Sequence, residues 1–120
     1  MLYVKDLPRM KNFYQQMLRA QPVNTDWTDV WALFEAGGAR FALHAIPTEI
    51  ARNIEISSPP EPRESSPVKL VFAVENVPEE RKRLEALGIA LFHRPWQNPA
   101  RECEGVDPEG NIFQITSVSS

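Results

Sequence analysis

Two segments of the chain carry apolar residues at helical spacing, and each follows a short run of strand-like residues. Residues 1–5 predict a strand, and Asp6 is placed to cap the helix that follows, with Pro8 tolerated in its first turn. The apolar residues of this helix recur at i, i+3, i+4, i+7 and i+8: Met10, Phe13, Tyr14, Met17 and Leu18. This spacing predicts an amphipathic helix that packs one face against a core.

Strand-like runs complete the first half of the chain. Residues 21–26 predict a weak strand, and residues 30–36 predict a stronger one. Gly37 and Gly38 are a tight-turn signal, so residues 39–46 are expected to return as the partner strand of a hairpin. The first half is therefore predicted to run strand, helix, strand, strand, strand.

The second half follows a proline-rich stretch and repeats this order. Residues 47–67 predict an exposed linker with one helical turn near Ile50. Residues 68–74 predict a strand, and Asn76 followed by Glu79 forms a capping box for a second helix that ends at Gly88. The remaining predicted strands cover 89–93, 101–106 and 112–118.

Local sequence matches support the duplication of one unit. Residues 4–8 match residues 74–78, and residues 38–42 match residues 110–114. Two copies with so long a period do not make a solenoid. We interpret residues 1–120 as one domain with a first module at about 1–46, a linker at 47–67 and a second module at about 68–118. A coincidental likeness between two ordinary α+β segments is the alternative.

Composition and charge narrow the classes of function. The 120 residues are enough for one compact domain. A formal net charge of −3 without a basic block disfavours nucleic-acid binding. Because Cys103 is the only cysteine of the sequence, an intrachain disulfide is impossible, and a reducing compartment is expected. No apolar run approaches the ~20 residues that cross a bilayer, and the first residues do not resemble a signal peptide. We therefore expect a cytoplasmic protein without a membrane partner.

Three stretches of the sequence resemble the signature segments of a known superfamily. YVKDLPRMKNFYQQML, FAVENVPEERKRLEALGI and GVDPEGNIFQI, in that order, are similar to those of the glyoxalase/bleomycin-resistance/extradiol dioxygenase (vicinal oxygen chelate) superfamily. The resemblance implies an α+β fold in which two βαβββ modules form incomplete barrels around a concave cavity, with helices on the convex side. It also implies that dimers are common, so we expect a homodimer.

Strand alternation divides each predicted strand between the core and the cavity. Phe41 and Leu43 are expected to face the core, which leaves Ala42 and His44 on the cavity side. The predicted core positions of the second half are Leu70, Phe72, Val74, Phe113 and Ile115. The other predicted cavity positions are Tyr3, Lys69, Val71, Ala73, Ile112, Gln114 and Thr116.

The metal ligands of the superfamily do not carry over to this chain. Metal-dependent members hold a divalent ion with His, Gln or Glu ligands from the first and last strands of their modules. The resemblance places these positions at Ala42, Lys69 and Gln114, with one more just before Met1. Alanine offers no ligand atom, and a protonated lysine repels a cation. Even with His44 the set is short of about three protein ligands. We predict no metal, no other cofactor and no assigned catalytic residue.

Five residues are the candidate ligand-binding residues: Tyr3, His44, Lys69, Trp96 and Gln114. His44 either forms a hydrogen bond in the cavity wall or acts as a ligand-orienting or acid–base group. Lys69 either belongs to a structural ion pair or contacts an acidic ligand. Trp27, Trp31 and Trp96 are either packing residues or stacking surfaces for a flat ligand. A nucleophilic role for Cys103 is disfavoured because no base adjoins it in sequence.

These features favour a metal-free protein that binds or sequesters a small molecule of acidic or aromatic character, like the bleomycin-resistance branch. One alternative is a metal-dependent lyase or dioxygenase of the same superfamily with atypical ligands. Another is a regulatory domain that uses only its dimer surface. Metal content distinguishes the enzyme from the other two, and a ligand-dependent rise in melting temperature distinguishes the binding protein from the regulatory domain.

Overall fold

A computed structural model describes residues 1–22 and 29–118. Most of the strand predicted at 21–26, together with Trp27, lies outside the described residues. The chain divides into two compact units, Met1–Pro59 and Pro60–Ser120, and each unit contains one four-stranded sheet. The predicted linker at 47–67 contributes residues to both units.

The first unit is a βαβββ module followed by one helical turn. Its elements are β1 (Leu2–Val4), α1 (Leu7–Leu18), β2 (Gln21–Pro22), β3 (Trp31–Ala36), β4 (Ala39–Ala45) and α2 (Thr48–Ala51). The sheet order is β1-β4-β3-β2, with β1 parallel to β4 and the other pairs antiparallel. The turn predicted near Ile50 is confirmed as α2.

The second unit repeats the module. Its elements are β5 (Leu70–Val74), α3 (Val77–Ala86), β6 (Leu91–Phe92), β7 (Glu102–Val106) and β8 (Ile112–Ser117). The sheet order is β5-β8-β7-β6, with β5 parallel to β8. Strand β5 begins at Leu70 instead of residue 68, so Lys69 lies just before the strand.

The strand registers establish that the two modules are copies of one plan. Leu2 pairs with Leu43 across β1 and β4, and Phe72 pairs with Ile115 across β5 and β8. These pairs are related by the same offsets of 70 and 72 that relate the matching sequence segments. Both sheets are open: β1 and β2 are the edge strands of the first sheet, and β5 and β6 are those of the second. The predicted α+β fold of two βαβββ modules is confirmed.

The helix ends follow from their capping residues. The side chain of Asp6 accepts a hydrogen bond from the amide of Arg9, and that of Asn76 accepts one from the amide of Glu79. Each bond satisfies one of the amide groups left free in a first helical turn. After α3, Gly88 has a φ of 89°, a left-handed conformation that glycine adopts without strain.

One face of each sheet packs against its helix. In the first unit Phe34 and Leu43 are fully buried, and the Tyr14 ring on α1 lies 5.0 Å from the Phe41 ring. The buried residues on the corresponding side of the second unit are Val77, Leu84, Cys103, Phe113 and Ile115. Phe72 lies on this side as predicted but is only half-buried, with its ring 6.4 Å from that of Phe113.

Two individual side chains are less exposed than their places on a strand face and on a helix alone would indicate. Ala42 pairs with Leu33 on the face away from the helix, yet it is buried. In the basic run at 81–83 of α3, Arg81 donates a hydrogen bond to the carbonyl of Leu91 at the start of β6, while Lys82 is exposed. Arg81 therefore ties α3 to the edge strand of its sheet.

Candidate small-molecule site

The face of the first sheet that lies away from α1 carries an aromatic cluster. Tyr3 and Trp31 both pair with His44 in the strand register, on its two sides. The ring centroids lie 5.3 Å apart for Tyr3 and His44 and 6.1 Å apart for Trp31 and His44. Tyr3 is 55% exposed, so this cluster offers an accessible ring edge. Trp31 therefore joins the two predicted site residues of this unit.

The orientation of the His44 ring is set by its own strand. Its Nδ1 lies 2.8 Å from the carbonyl oxygen of Ala45. Because a carbonyl oxygen can only accept, Nδ1 carries a proton and donates it there. In the neutral ring the remaining lone pair is then on Nε2. The predicted hydrogen bond to a neighbour is therefore present, and Nε2 is the ring atom that can act on a ligand.

The corresponding face of the second sheet is polar. Glu102 and Glu104 alternate along β7, and Glu104 pairs with Gln114 of β8. The Nε2 of Gln114 donates to Oε2 of Glu102 at 3.0 Å and to the hydroxyl of Thr116 at 2.7 Å. Gln114 thus lies on the predicted face, with its amide nitrogen held by a carboxylate of the same sheet.

Glu104 is the centre of a buried polar network. Its side chain is only 3% exposed, and such a carboxylate requires hydrogen bonds or a counter-charge. Arg94 donates from Nε to Oε1 at 3.2 Å, and Gln97 donates from Nε2 to Oε2 at 2.6 Å. The Nζ of Lys69 lies 3.5 Å from Oε2. Of the two interpretations of Lys69, the ion pair is therefore present.

Arg94 links this network to the start of the second unit. Its Nη2 contacts both carboxylate oxygens of Glu64, at 3.0 and 3.2 Å. The hydrogen bond to Glu64, followed by that to Glu104, raises the pKa of Arg94, although desolvation opposes the rise. The guanidinium also lies over the Phe92 ring, 5.0 Å from its centroid. Arg94 therefore stays charged and holds two carboxylates together.

A pocket of about 290 Å³ opens beside this network. It is lined by three cationic, two anionic and four other side chains: Arg63, Lys69, Arg94, Glu64, Glu104, Ser66, Val68, Trp96 and Ile112. Its volume is close to the lower limit for small-molecule pockets, ~300 Å³. Lys69 and Trp96 are thus brought together in one pocket of the second unit. Gln114 shares the face but does not line this pocket, and Tyr3 and His44 belong to the first unit.

The turn at 94–97 determines where Trp96 lies. The amide of Arg94 donates to Oε1 of Gln97, and the amide of Gln97 donates to the carbonyl of Arg94. Both side chains also donate to Glu104, so the turn is fixed at each end. Trp96 is carried between them and is 77% exposed. It is therefore not packed in the core of its unit, which leaves packing at an interface or stacking on a ligand.

The residues at the implied metal-ligand positions do not fit a metal ion. Ala42 has no donor atom, Lys69 carries an ammonium beside Glu104, and Gln114 directs its amide nitrogen to Glu102. Of the two carboxylates beside these residues, Glu102 accepts the hydrogen bond from Gln114 and Glu104 is already bonded to Arg94 and Gln97. Within residues 1–22 and 29–118, no three His, Cys, Asp or Glu side chains cluster as a metal site would need.

Sequence reasoning missed Glu104, Arg94 and Gln97. The side-chain hydrogen bonds and ion pairs of Glu104 join residues seven to 35 positions apart, and Arg94 reaches Glu64 over 30 positions. Local sequence patterns do not predict pairing over such separations. One signal was available for Glu104. Its alternation with Glu102 in a strand whose other face carries Cys103 places it on the same side as Gln114. Because Lys69 was predicted on the same face, Glu104 could have been proposed as the partner of Lys69.

The comparisons with known proteins agree with this architecture. The family model described as a glyoxalase-like domain matches residues 1–116. No protein with a curated description matches the chain. Among the described residues, no helix has the length and apolar character needed to span a membrane.

Several solved structures share the fold. The fosfomycin resistance protein FosX from Listeria monocytogenes is 18% identical with a TM-score of 0.69, and the match covers 98% of this chain and 86% of that one. A glyoxalase/bleomycin resistance protein/dioxygenase family enzyme from Burkholderia phytofirmans PsJN is 21% identical with a TM-score of 0.69, covering 98% and 95%. An integron cassette protein from V. cholerae is 22% identical with a TM-score of 0.67, covering 98% and 91%. At these identities the likeness concerns the fold.

Proposed function

We propose that this chain, which belongs to the glyoxalase-like family of the vicinal oxygen chelate superfamily, binds a small molecule without the help of a metal ion. The observation that carries the proposal is the ammonium of Lys69. It occupies an implied metal-ligand position, is neutralised by the buried Glu104 and lines a pocket with Trp96. A cation supplied by the protein thus replaces the cation that metal-dependent relatives would bind.

The candidate ligand-binding residues are divided between the two units. In the second unit Lys69 and Trp96 offer a charge and a flat apolar surface, and Gln114 lies on the same face of the sheet. In the first unit Tyr3 and His44 offer a phenol and an imidazole. That residues 1–120 form a single domain is part of the same proposal.

The alternative function is a metal-dependent lyase or dioxygenase with atypical ligands. One observation favours it: FosX from Listeria monocytogenes, which shares the fold, forms a complex with Mn(II) and sulfate ion. That protein is 16% identical to this chain, so the likeness extends to the backbone only. The chemistry of Ala42, Lys69 and Gln114 argues against carrying its metal over.

Metal analysis and a thermal-shift screen test the proposal together. Protein purified without chelator should carry far less than one equivalent of Mn, Fe, Ni or Zn by plasma mass spectrometry. In the screen, at least one acidic, aromatic or 2-oxoaldehyde compound should raise the melting temperature, since a ligand that binds only the folded state stabilises it. Stoichiometric metal that is lost on mutation of Gln114 or His44 would instead establish the metal-dependent enzyme.

The proposal also includes a cytoplasmic homodimer. Two-fold dimers are the commonest closed assembly of soluble proteins, and the exposed apolar residues Tyr3, Val71 and Trp96 are available for contact. Light scattering at micromolar concentration should give twice the monomer mass of 13.7 kDa. A stable monomer under these conditions would leave each chain to form its site alone.

A further inference from the structure

We propose that the pocket of Lys69 and Trp96 selects a planar monoanion, such as an aromatic carboxylate with a single ring. This inference rests on the proposed function, because it names the class of ligand for the same site. It follows from three features of the second unit: the charge balance of the pocket, the available ammonium group of Lys69 and the exposed indole ring on a fixed turn.

The charge balance of the pocket favours a single negative charge. Arg63, Lys69 and Arg94 face only two carboxylates, Glu64 and Glu104, which leaves one positive charge in excess. The chain as a whole has a net charge of −3, so this excess is local. A monoanion neutralises the pocket, whereas a cation adds to the excess.

Lys69 has hydrogen atoms to offer a ligand. Arg94 is committed to Glu64 and Glu104, and Nε of Arg63 donates to the carbonyl of Glu109 at 3.1 Å. Both oxygens of Glu104 already accept shorter hydrogen bonds from Arg94 and Gln97. The Nζ of Lys69 lies 3.5 Å away, and its side chain is 41% exposed. An ammonium carries three donors, so it can contact Glu104 and a ligand carboxylate together.

Trp96 provides the surface that favours a planar ligand. Its turn is fixed to Glu104 through Arg94 and Gln97, so the backbone that carries the exposed indole is held in place before a ligand arrives. Only the two side-chain torsions of Trp96 then remain to be ordered on stacking, which limits the entropy lost. Val68 and Ile112 supply further apolar contact. At about 290 Å³, the pocket accommodates one ring better than a fused system.

Four small compounds separate charge from planarity. Benzoate is a planar anion, benzamide is its neutral counterpart, cyclohexanecarboxylate is a non-planar anion and benzylamine is a planar cation. Binding is measured on the full chain by titration of the tryptophan indole resonances in ¹H–¹⁵N spectra. The Trp96 resonance is identified by its loss in Trp96→Phe.

Benzoate should shift the Trp96 resonance and bind at least about tenfold more tightly than benzamide or benzylamine, the size of one charge-assisted contact. Lys69→Gln should lower the benzoate affinity by about tenfold and leave that for benzamide unchanged. The matched control is Lys82→Gln, which removes the same charge from the exposed face of α3 and should leave the affinity within about twofold. Trp96→Ala should abolish the preference for benzoate over cyclohexanecarboxylate, measured in this variant by the backbone amide resonances of the same spectra.

Several results would overturn the inference. Benzylamine or benzamide binding at Trp96 as tightly as benzoate would refute the anionic class, as would an unchanged benzoate affinity in Lys69→Gln with native-like spectra. Equal binding of cyclohexanecarboxylate would refute the planar class. If no probe moves the Trp96 resonance, the inference fails even where the thermal-shift screen finds a ligand. The proposed function itself fails if that screen finds none, or if the purified protein carries stoichiometric metal that is lost on mutation of Gln114 or His44.

Discussion

Gly105 is the position in the second sheet that is most sensitive to a single added carbon. It lies on β7 opposite Phe113 of β8 and beside Leu91 of β6, and both of these side chains are buried. A Cβ at Gly105 would lie 2.5 Å from Cζ of Phe113 and 2.7 Å from Cδ2 of Leu91. Both separations are well below van der Waals contact, so Gly105→Ala must displace a buried side chain.

The expected cost follows from two opposing effects. Overpacking of a closed core costs about 1–3 kcal/mol. Replacing glycine by alanine recovers about 0.4–1 kcal/mol through the lower entropy of the unfolded chain, where the backbone conformation permits it. The net expectation is a loss of about 1–2 kcal/mol in the free energy of unfolding. This would lower the melting temperature by several degrees in a chain of this length.

Urea unfolding of four proteins tests this reasoning: the parent, Gly105→Ala, Phe113→Leu and the double variant. Leucine lacks the Cζ atom at 2.5 Å, so the double variant should lose less stability than the sum of the single variants, by at least about 0.5 kcal/mol. The urea concentration at the midpoint of unfolding should change, while the slope of the free energy of unfolding against urea concentration should stay constant. A neutral or stabilising Gly105→Ala, or strict additivity in the double variant, would refute the close approach of Gly105 to Phe113.

Two further predictions concern buried groups of the same unit. Glu104→Gln should cost about 1.5–3 kcal/mol of stability, because Gln97 loses its hydrogen bond to a charged acceptor. The same substitution should broaden or shift the indole resonance of Trp96. An unchanged resonance would show that Glu104 does not position the turn at 94–97. Burial raises the pKa of Cys103, so iodoacetamide should modify it slowly in the native protein and rapidly in urea. Above about pH 8.5 the unfolded thiol ionises while the folded one stays protonated, so stability should fall with rising pH in the parent and less in Cys103→Ala.

The sequence was sufficient to predict the fold because local signals agree with each other along the chain. The cap at Asp6, the stripe from Met10 to Leu18 and the Gly37–Gly38 turn each predict the same element order, and the second half repeats them. Alternation then separated Phe41 and Leu43 from His44 correctly. Burial was less well predicted. Phe72 was expected in the core but is only half-buried, whereas Phe113 is fully buried.

The candidate site was predicted only in part, because its contacts join distant segments. Lys69 was recognised as needing a partner, but its partner Glu104 lies 35 positions away on another strand. Glu64 lies in the predicted linker and still reaches Arg94. Such contacts depend on how β5, β7 and the turn at 94–97 come together, which no periodicity encodes. The sequence therefore predicts which residues share one face of a strand, but it does not predict which side chains from distant segments contact each other.

The register of the two modules shows how one backbone came to carry two kinds of surface. Pairing places Trp31 and Leu33 of β3 at the positions that Glu102 and Glu104 occupy on β7, and Ala42 at the position of Gln114. The face toward the helix stays apolar in both copies, since each module needs it for its core. The opposite face is free to diverge, and it has become aromatic in one copy and charged in the other. A ligand that matches the charged copy needs an anionic group and a flat ring, which are the two properties that the benzoate series separates.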